Sequence, residues 1–153
     1  MFGSSKAHVD VRKILLEKGQ LEGVIALPSG VFQPYSGVGT AVLIFTKGGK
    51  TDKVWFYEMK NDGFTLDQKR DKLDGMGDIP DILKKFKTKE EGPNSFNEDF
   101  EKIKENGYSL DINRYKKYEQ KETKYDKPTK LIDNVLKEEE EIIKEIKKLK
   151  DIV

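Results

Sequence analysis

The sequence lacks cysteine and contains a single histidine, His8. Without thiols the chain cannot form disulfides or thiolate metal sites, and one histidine cannot build a histidine cluster around a metal ion. A Ser-His-Asp catalytic site would have to use His8 as its base, from a helical segment near the chain start. We therefore expect His8 to be an exposed helix residue, and we expect no bound metal.

Long apolar runs and an excess of charge of one sign are also missing. No apolar segment approaches the ~20 residues needed to cross a bilayer, and the N-terminus MFGSSKAHVD has no apolar signal-peptide core. Lys and Arg total 29 against 28 for Asp and Glu, so any binding to nucleic acid must come from a local patch. With 35% hydrophobic and 37% charged residues, we expect a soluble, cytoplasmic protein whose core covers part of its length.

The hydrophobic pattern of residues 1–60 indicates an α/β arrangement. Val11, Ile14 and Leu15 have helical spacing, which predicts a helix over Ala7–Lys18 that packs through this stripe. Three apolar runs predict strands at Leu21–Leu27, Thr40–Thr46 and Val54–Met59. The middle run is apolar almost throughout, which is typical of a strand covered on both faces. Three strands with one flanking helix make a thin sheet, so we expect a fragment of a larger α/β domain.

The remaining sequence is polar and mostly helical in pattern. In residues 61–127 the spacing predicts short helices at Asp78–Lys87 and Asn97–Glu105, with a loop between them. Residues 128–153 have the pattern of a long charged helix with a heptad-like apolar seam that Glu139 interrupts. The seam consists of Ile132, Val135, Ile142, Ile146, Leu149 and Val153. Such a helix is marginally stable alone in water, so its seam needs a partner.

The loop Pro28–Thr40 is rich in glycine and carries Phe32 and Tyr35. It lies at the rim of the predicted sheet, where α/β folds bind their ligands. Phe32 could stack on a planar group such as a nucleobase, or it could close the end of the core; on pattern alone the second alternative is favoured. The short glycine pairs at 37–39 and 75–77 do not fit a phosphate cradle, because neither lies between a strand and a helix.

The stretch Arg114–Lys127 interleaves three tyrosines with six basic residues. This combination is typical of a nucleic-acid contact. Three acidic residues in the same stretch dilute its charge, so an ordinary solvated helix is the favoured alternative.

Several of these segments resemble the modification subunit of type I restriction-modification systems. The main resemblance lies in the segment VRKILLEKGQLEGVIALPSGVFQPYSGVGTAVLIFTKGG, which is followed by KVWFYEMK. A second segment, NGYSLDINRY, resembles the one that follows the catalytic core in that family. Those subunits are adenine-N6 DNA methyltransferases that use S-adenosylmethionine. The resemblance implies the C-terminal part of a Rossmann-like methyltransferase sheet at 1–60, a polar helical region at 61–127 and a coiled-coil-like helix at 128–153.

Two motifs of that family do not occur in this sequence. One is the glycine-rich motif that holds the methyl donor, and the other is the Asn-Pro-Pro-Tyr/Phe motif that holds the target amino group. We therefore expect the chain to correspond to the C-terminal part of the subunit, with no S-adenosylmethionine bound and no catalysis by this part alone. The alternative is an autonomous protein–protein interaction module without catalytic activity.

The resemblance also implies roles for individual residues in the loop. Phe32, in GVFQP, matches the aromatic that stacks on the flipped adenine in related methyltransferases. The resemblance therefore implies that Phe32 stacks on the target base. Gln33 and Tyr35 are weaker candidates for contacts around the flipped nucleotide.

Further contacts are expected outside the loop. The candidate DNA contacts there are Arg114, Lys116 and Lys117.

In the parent complex the partners are DNA and the specificity and restriction subunits. The C-terminal helix would bind the other subunits through Ile132, Val135, Ile142, Ile146 and Leu149. Alone, the chain could cover this seam by forming a homo-oligomer.

Overall fold

The computed structural model describes residues 3, 5–116 and 128–150. Its contacts divide the chain into two units, Met1–Lys117 and Tyr118–Val153. The first unit contains a four-stranded mixed sheet with helices, and the described part of the second is one helix.

The sheet has the strand order β2-β1-β3-β4. Its strands are β1 (Gly19–Leu27), β2 (Thr40–Lys47), β3 (Lys53–Glu58) and β4 (Ser95–Asp99). β1 runs antiparallel to β2 and parallel to β3, and β3 runs antiparallel to β4. The three predicted strands are therefore confirmed to within two residues at each end.

The fourth strand lies where the sequence pattern predicts a loop and the start of a helix, so that prediction is wrong for residues 95–99. The segment extends along β3, and the ring of Phe96 stacks on that of Phe56 at a centroid distance of 5.3 Å. This cross-strand aromatic pair decides the conformation over the weak local helical pattern. The helix starts only at the following residue, Phe100.

The helices are α1 (Lys6–Glu17), α2 (Ile79–Thr88), α3 (Phe100–Glu105), a short 3₁₀ helix (Ile112–Arg114) and α4 (Pro128–Lys150). Successive residues of β1 contact opposite core clusters: Val24 packs with α1, α3 and the 3₁₀ helix, whereas Ile25 packs with α2. This alternation follows from the two-residue period of a strand. The sheet in the first unit is therefore covered by helices on both faces.

The predicted apolar stripe of α1 is only partly correct. Val11 and Ile14 are each 54% exposed, while Leu15 is partly packed and Leu16 is buried. Arg12 is buried as well, because its Nε atom donates to the Tyr108 carbonyl at 2.7 Å. The guanidinium is thus hydrogen-bonded inside the first unit, and α1 packs through the face that carries Arg12 and Leu16.

The expectation that β2 is covered on both faces is also wrong. β2 forms an edge of the sheet, and Val42 and Phe45 are 45% and 54% exposed. Leu43 and Ile44 nevertheless pack against the two opposite core clusters. Each face of β2 is therefore half covered in this chain.

α4 is amphipathic, and its described apolar side chains are exposed. Ile132, Val135, Ile142 and Ile146 are 56–59% exposed, while the side chain of Leu149 and residue Val153 lie outside the described part. Within the described ranges, no helix combines the length and the apolar character required to cross a membrane.

Candidate nucleic-acid interface

The loop between β1 and β2 folds into two consecutive turns that contain Phe32. The Gln33 amide donates to the Gly30 carbonyl at 3.1 Å, and the Ser36 amide donates to the Phe32 carbonyl at 2.9 Å. The loop leaves the carboxyl end of β1 and enters the amino end of β2, so it lies at the end of the sheet where β1 stops. In α/β folds, ligands bind outside the carboxyl ends of the parallel strands.

Phe32 and its neighbour Val31 have different surroundings. Val31 is partly buried and packs against the core cluster that contains Ile25 and Tyr57, whereas Phe32 is 49% exposed. The core contact at this end of the sheet is therefore made by the valine. The aromatic ring keeps a solvent-facing side that could accept a planar partner.

The other two candidate residues of the loop differ in exposure. Gln33 is half-buried, and a Cβ atom on Gly37 would lie 3.1 Å from its side-chain amide nitrogen. Tyr35 is 95% exposed. Both follow Phe32 closely enough in the turns to share its edge of the sheet.

The basic candidates near the end of the first unit are placed on or after the 3₁₀ helix. Arg114 is exposed. The ammonium group of Lys116 donates to Oε2 of Glu58 at 2.5 Å, so part of its charge is compensated. Lys117 lies outside the described residues. Glu58, which the sequence analysis did not single out, ends β3 and thus lies next to the carboxyl end of β1.

Two cavities adjoin the carboxyl end of β1, and one of them also adjoins the carboxyl end of β3. One has a volume of about 280 Å³ and the other about 360 Å³, and both are lined by Ala26, Ile112 and Asn113. The first is also lined by Thr40, whose hydroxyl oxygen is buried without a hydrogen-bond partner among the described residues. The second reaches Pro28, where the loop with Phe32 begins. Residues 110–113 therefore form a wall of the first cavity beside the loop, and Ile112 and Asn113 of this wall also line the second cavity.

A buried tyrosine anchors this wall. Tyr115 is 5% exposed, its hydroxyl donates to the Ser109 carbonyl at 2.6 Å, and its ring lies 5.4 Å from that of Phe56. Burial raises the pKa of Tyr115 to about 12. The resemblance marked NGYSLDINRY as a family segment, but the local pattern carried no signal that this tyrosine packs on β3.

The described residues include possible metal ligands and the two glycine pairs that could belong to a methyl-donor motif. They contain no group of three or more ligating side chains placed to hold a metal ion. Of the two glycine pairs, 37–39 leads into β2, and 75–77 is separated from β3 by a long loop. A Cβ on Gly77 would overlap the Asn61 carbonyl and lie 2.5 Å from the Gly63 amide, so this turn is filled by its own backbone. These residues do not fit the donor-binding motif that the resemblance implies.

Comparison with known protein families decides the family of this chain. The family model described as N-6 DNA methylase matches residues 1–124. The chain belongs to the N-6 DNA methylase family. This match includes the whole sheet and the loop that carries Phe32.

Curated relatives of this N-6 DNA methylase chain are subunits of type I restriction enzymes. It is 45% identical over 58 residues to the EcoEI methylase subunit of Escherichia coli, a match of 38% of this chain and 12% of that protein. It is 28% identical over 146 residues to the MpnII methylase subunit of Mycoplasma pneumoniae, covering 94% of this chain and 26% of that protein. The chain thus spans about a quarter or less of these relatives.

Solved structures agree with this placement. A type I methyltransferase subunit from Streptococcus thermophilus is 30% identical, with a TM-score of 0.60 over 74% of this chain and 24% of that one. A chain from a study of assembly and conformational transition of the type I restriction-modification system is 25% identical, with a TM-score of 0.62 over 99% of this chain and 33% of that one. The resemblance to type I modification subunits, inferred from sequence, is confirmed.

Proposed function

We propose that this chain is the C-terminal part of the modification subunit of a type I restriction-modification system. That subunit transfers a methyl group from S-adenosylmethionine to N6 of adenine in DNA. In this role the sheet is the terminal portion of a Rossmann-like methyltransferase sheet, and the rest of the catalytic domain pairs with the open edge of β2. The half-exposed apolar side chains of Val42 and Phe45 on that strand support this arrangement.

The observation that carries the proposal is the half-exposed ring of Phe32 beside the core-packed Val31. A methyltransferase acting on a base must take that base out of the helix and hold it flat. A ring presented at the ligand-binding edge of the sheet offers a face for such stacking, which is worth about 1–3 kcal/mol. Gln33 and Tyr35 then contact the nucleotide around the base.

DNA contacts outside the loop are assigned to the basic residues near the 3₁₀ helix. The exposed Arg114 can contact a phosphate directly, and Lys117 is proposed for the same role on sequence grounds. Lys116 contributes less, because it already donates to Glu58. The methyl donor is held elsewhere in the parent subunit, since the described residues do not fit its motif.

The α4 seam is proposed to bind the other subunits of the system. Its described side chains Ile132, Val135, Ile142 and Ile146 are each more than half exposed. Burial of the remaining exposed part of one such side chain at an interface contributes on the order of 1–2 kcal/mol. The specificity subunit, which reads the DNA sequence, is the partner expected from the resemblance.

The decisive experiment compares Phe32→Ala and Phe32→Trp in the complete modification subunit assembled with its specificity subunit. We expect Phe32→Ala to lower kcat/KM for methyl transfer by about 5- to 100-fold, the equivalent of one lost base stack. Phe32→Trp should be milder because it keeps a stacking face. Leu83→Ala is the control, since Leu83 is an apolar side chain that is 62% exposed on α2 and lies outside the loop that carries Phe32. Unchanged turnover in Phe32→Ala would refute the stacking role.

A second experiment uses the 153-residue chain alone. We expect neither stoichiometric binding of labelled S-adenosylmethionine nor methyl transfer to DNA. Either activity would show that this chain holds the donor itself, against the proposal. The interaction-module alternative predicts that the gene region upstream encodes no donor-binding or Asn-Pro-Pro motif.

A further inference from the structure

The loop that carries Phe32 rests on a second loop, residues 61–78, through backbone contact at Gly30. A Cβ atom on Gly30 would overlap the carbonyl oxygen of Leu66 and lie 3.0 Å from the carbonyl carbon and from Cβ of the same residue. Gly30 is buried and has a φ of +99°, which L side chains rarely adopt. The position therefore requires glycine both for its conformation and for the approach of Leu66.

The supporting loop is held together around Leu66 by its own polar contacts. The guanidinium of Arg70 donates to the Thr65 carbonyl at 2.7 Å and pairs with the carboxylate of Asp62. The ion-pair side chains are only 17% and 12% exposed. Arg70 also lies over the ring of Phe64, 5.4 Å from its centroid. The Leu66 carbonyl that approaches Gly30 is therefore held in place through the preceding residue, Thr65.

The base of the supporting loop is closed as well. Oδ2 of Asp78 accepts hydrogen bonds from the amides of Lys60 at 2.7 Å and Asn61 at 3.1 Å. The Asp78 amide donates in turn to the Asn61 carbonyl at 2.8 Å. The loop thus starts and ends at one hydrogen-bonded point between β3 and α2. A loop closed in this way resists displacement by a neighbouring side chain.

On the other side of the contact, Gly30 is the first residue of the turn that presents Phe32. Its carbonyl accepts from the Gln33 amide at 3.1 Å, so Phe32 is enclosed in this turn. Val31, between them, packs on the core cluster. A shift of Gly30 away from Leu66 must therefore change the direction in which the Phe32 ring is presented.

We propose that residues 62–70 of the supporting loop position Phe32, and that Gly30 and Leu66 are the positioning residues through which this segment acts. This inference rests on the proposed function of Phe32 in base capture. A ring held in place before DNA binds does not have to be ordered when the adenine arrives. Displacements of about 1 Å remote from the reacting atoms can reduce turnover on the order of 100-fold.

The test is Gly30→Ala in the complete modification subunit with its specificity subunit. Gly75→Ala is the matched control, because Gly75 lies in the same supporting loop with a φ of +93° but has no atom within 4 Å of its Cβ position. Both variants carry the cost of a left-handed backbone, and only the first displaces Leu66. Base capture is measured with 2-aminopurine in place of the target adenine, together with kcat, KM and S-adenosylmethionine affinity.

We expect Gly30→Ala to reduce base capture and kcat/KM on the order of 10- to 100-fold, with donor affinity unchanged, and Gly75→Ala to resemble the parent. In the Phe32→Ala background, Gly30→Ala should have no further effect, because the two act through one ring. Equal losses in both backgrounds would overturn the positioning role while leaving the stacking role intact. No loss in Phe32→Ala alone would overturn the proposed function itself.

A second variant keeps the test decisive if Gly30→Ala does not fold. Arg70→Lys retains the positive charge, but an ammonium cannot reproduce the planar fork that joins Thr65 to Asp62. We expect it to reduce base capture more than donor affinity, and to do so only when Phe32 is present. A loss that is independent of Phe32 would contradict the inference.

Discussion

The ammonium group of Lys116 lies 2.5 Å from Oε2 of Glu58, although the two residues are 58 positions apart. Their side chains are 30% and 26% exposed, so the ion pair is partly withdrawn from water. It joins the end of β3 to the segment that follows the 3₁₀ helix. The wall formed by residues 110–113 beside the Phe32 loop is thereby held against the sheet.

Removal of this ion pair should destabilise the first unit. We expect Lys116→Gln to lower the free energy of unfolding by about 1 kcal/mol, because a partly buried Glu58 loses its charged partner. Lys50→Gln is the control, since Lys50 and Asp52 form a pair at 3.7 Å whose side chains are 83% and 81% exposed. Urea unfolding of both variants checks this, and equal midpoints would contradict it.

The same ion pair predicts that Arg114 and Lys116 contribute differently to DNA binding. Loss of one phosphate contact lowers the slope of log affinity against log salt by ~1. We expect this decrease for Arg114→Gln, because Arg114 is exposed, and a smaller one for Lys116→Gln. Filter binding of the assembled complex over a range of salt concentrations measures both slopes. A larger change for Lys116→Gln would show that the ion pair opens on DNA.

The buried Tyr115 predicts a loss of stability in alkali. Its pKa is raised from an ordinary 10.0 to about 12 by burial, so the folded state favours the protonated phenol. This contribution is complete below pH 10 and is lost as the pH rises from 10 to about 12. Tyr115→Phe should therefore lose less stability than the parent as the pH rises through this range. Unfolding monitored by circular dichroism at several alkaline pH values measures this difference.

Tyr57 limits how much alkaline stability the Tyr115→Phe substitution can restore. Its pKa is also raised, first by burial and then by its hydrogen bond to Asp81, so part of the alkaline loss remains in Tyr115→Phe. Tyr35→Phe is the control, because it removes the same hydroxyl group from a tyrosine that is 95% exposed and not from one in the core. An identical effect of the two substitutions would refute the assignment to Tyr115.

The strand that sequence analysis missed should be held by its aromatic contact. Phe96→Ala removes a half-buried ring stacked on Phe56 and should cost about 2 kcal/mol. Phe45→Ala, at a 54% exposed position on the opposite edge strand, should cost less. Thermal unfolding of the two variants tests the ranking, and a smaller loss for Phe96→Ala would indicate that β4 contributes little to the sheet.

The α4 seam predicts an effect on assembly. Ile142→Lys places a charge among the exposed apolar residues and should weaken binding to the specificity subunit about tenfold or more. Glu140→Gln makes the same change in charge two positions away, on another side of the helix, and should bind normally. Titration by calorimetry compares them. Equal affinities would show that the seam does not form the interface.

Local pattern was a good guide to the elements of the sheet but a poor guide to their exposure. β1, β2 and β3 follow from apolar runs that end at turn residues, and α2 follows from apolar residues at helical spacing. Val11 and Ile14 share that spacing, yet they are exposed, whereas the neighbouring Arg12 is buried with its acceptor at Tyr108. Such a contact joins residues 96 positions apart and leaves no local signal.

The sequence by itself determined the family, the α/β class and the position of the aromatic loop, because motif order and hydrophobic periodicity are properties of neighbouring residues. Only the tertiary structure decided that β4 pairs with β3, that Lys116 contacts Glu58 and that Leu66 contacts Gly30. Each of these depends on segments that are distant along the chain and meet only after folding. The environment of Phe32, half exposed beside a buried Val31, is decided in the same way.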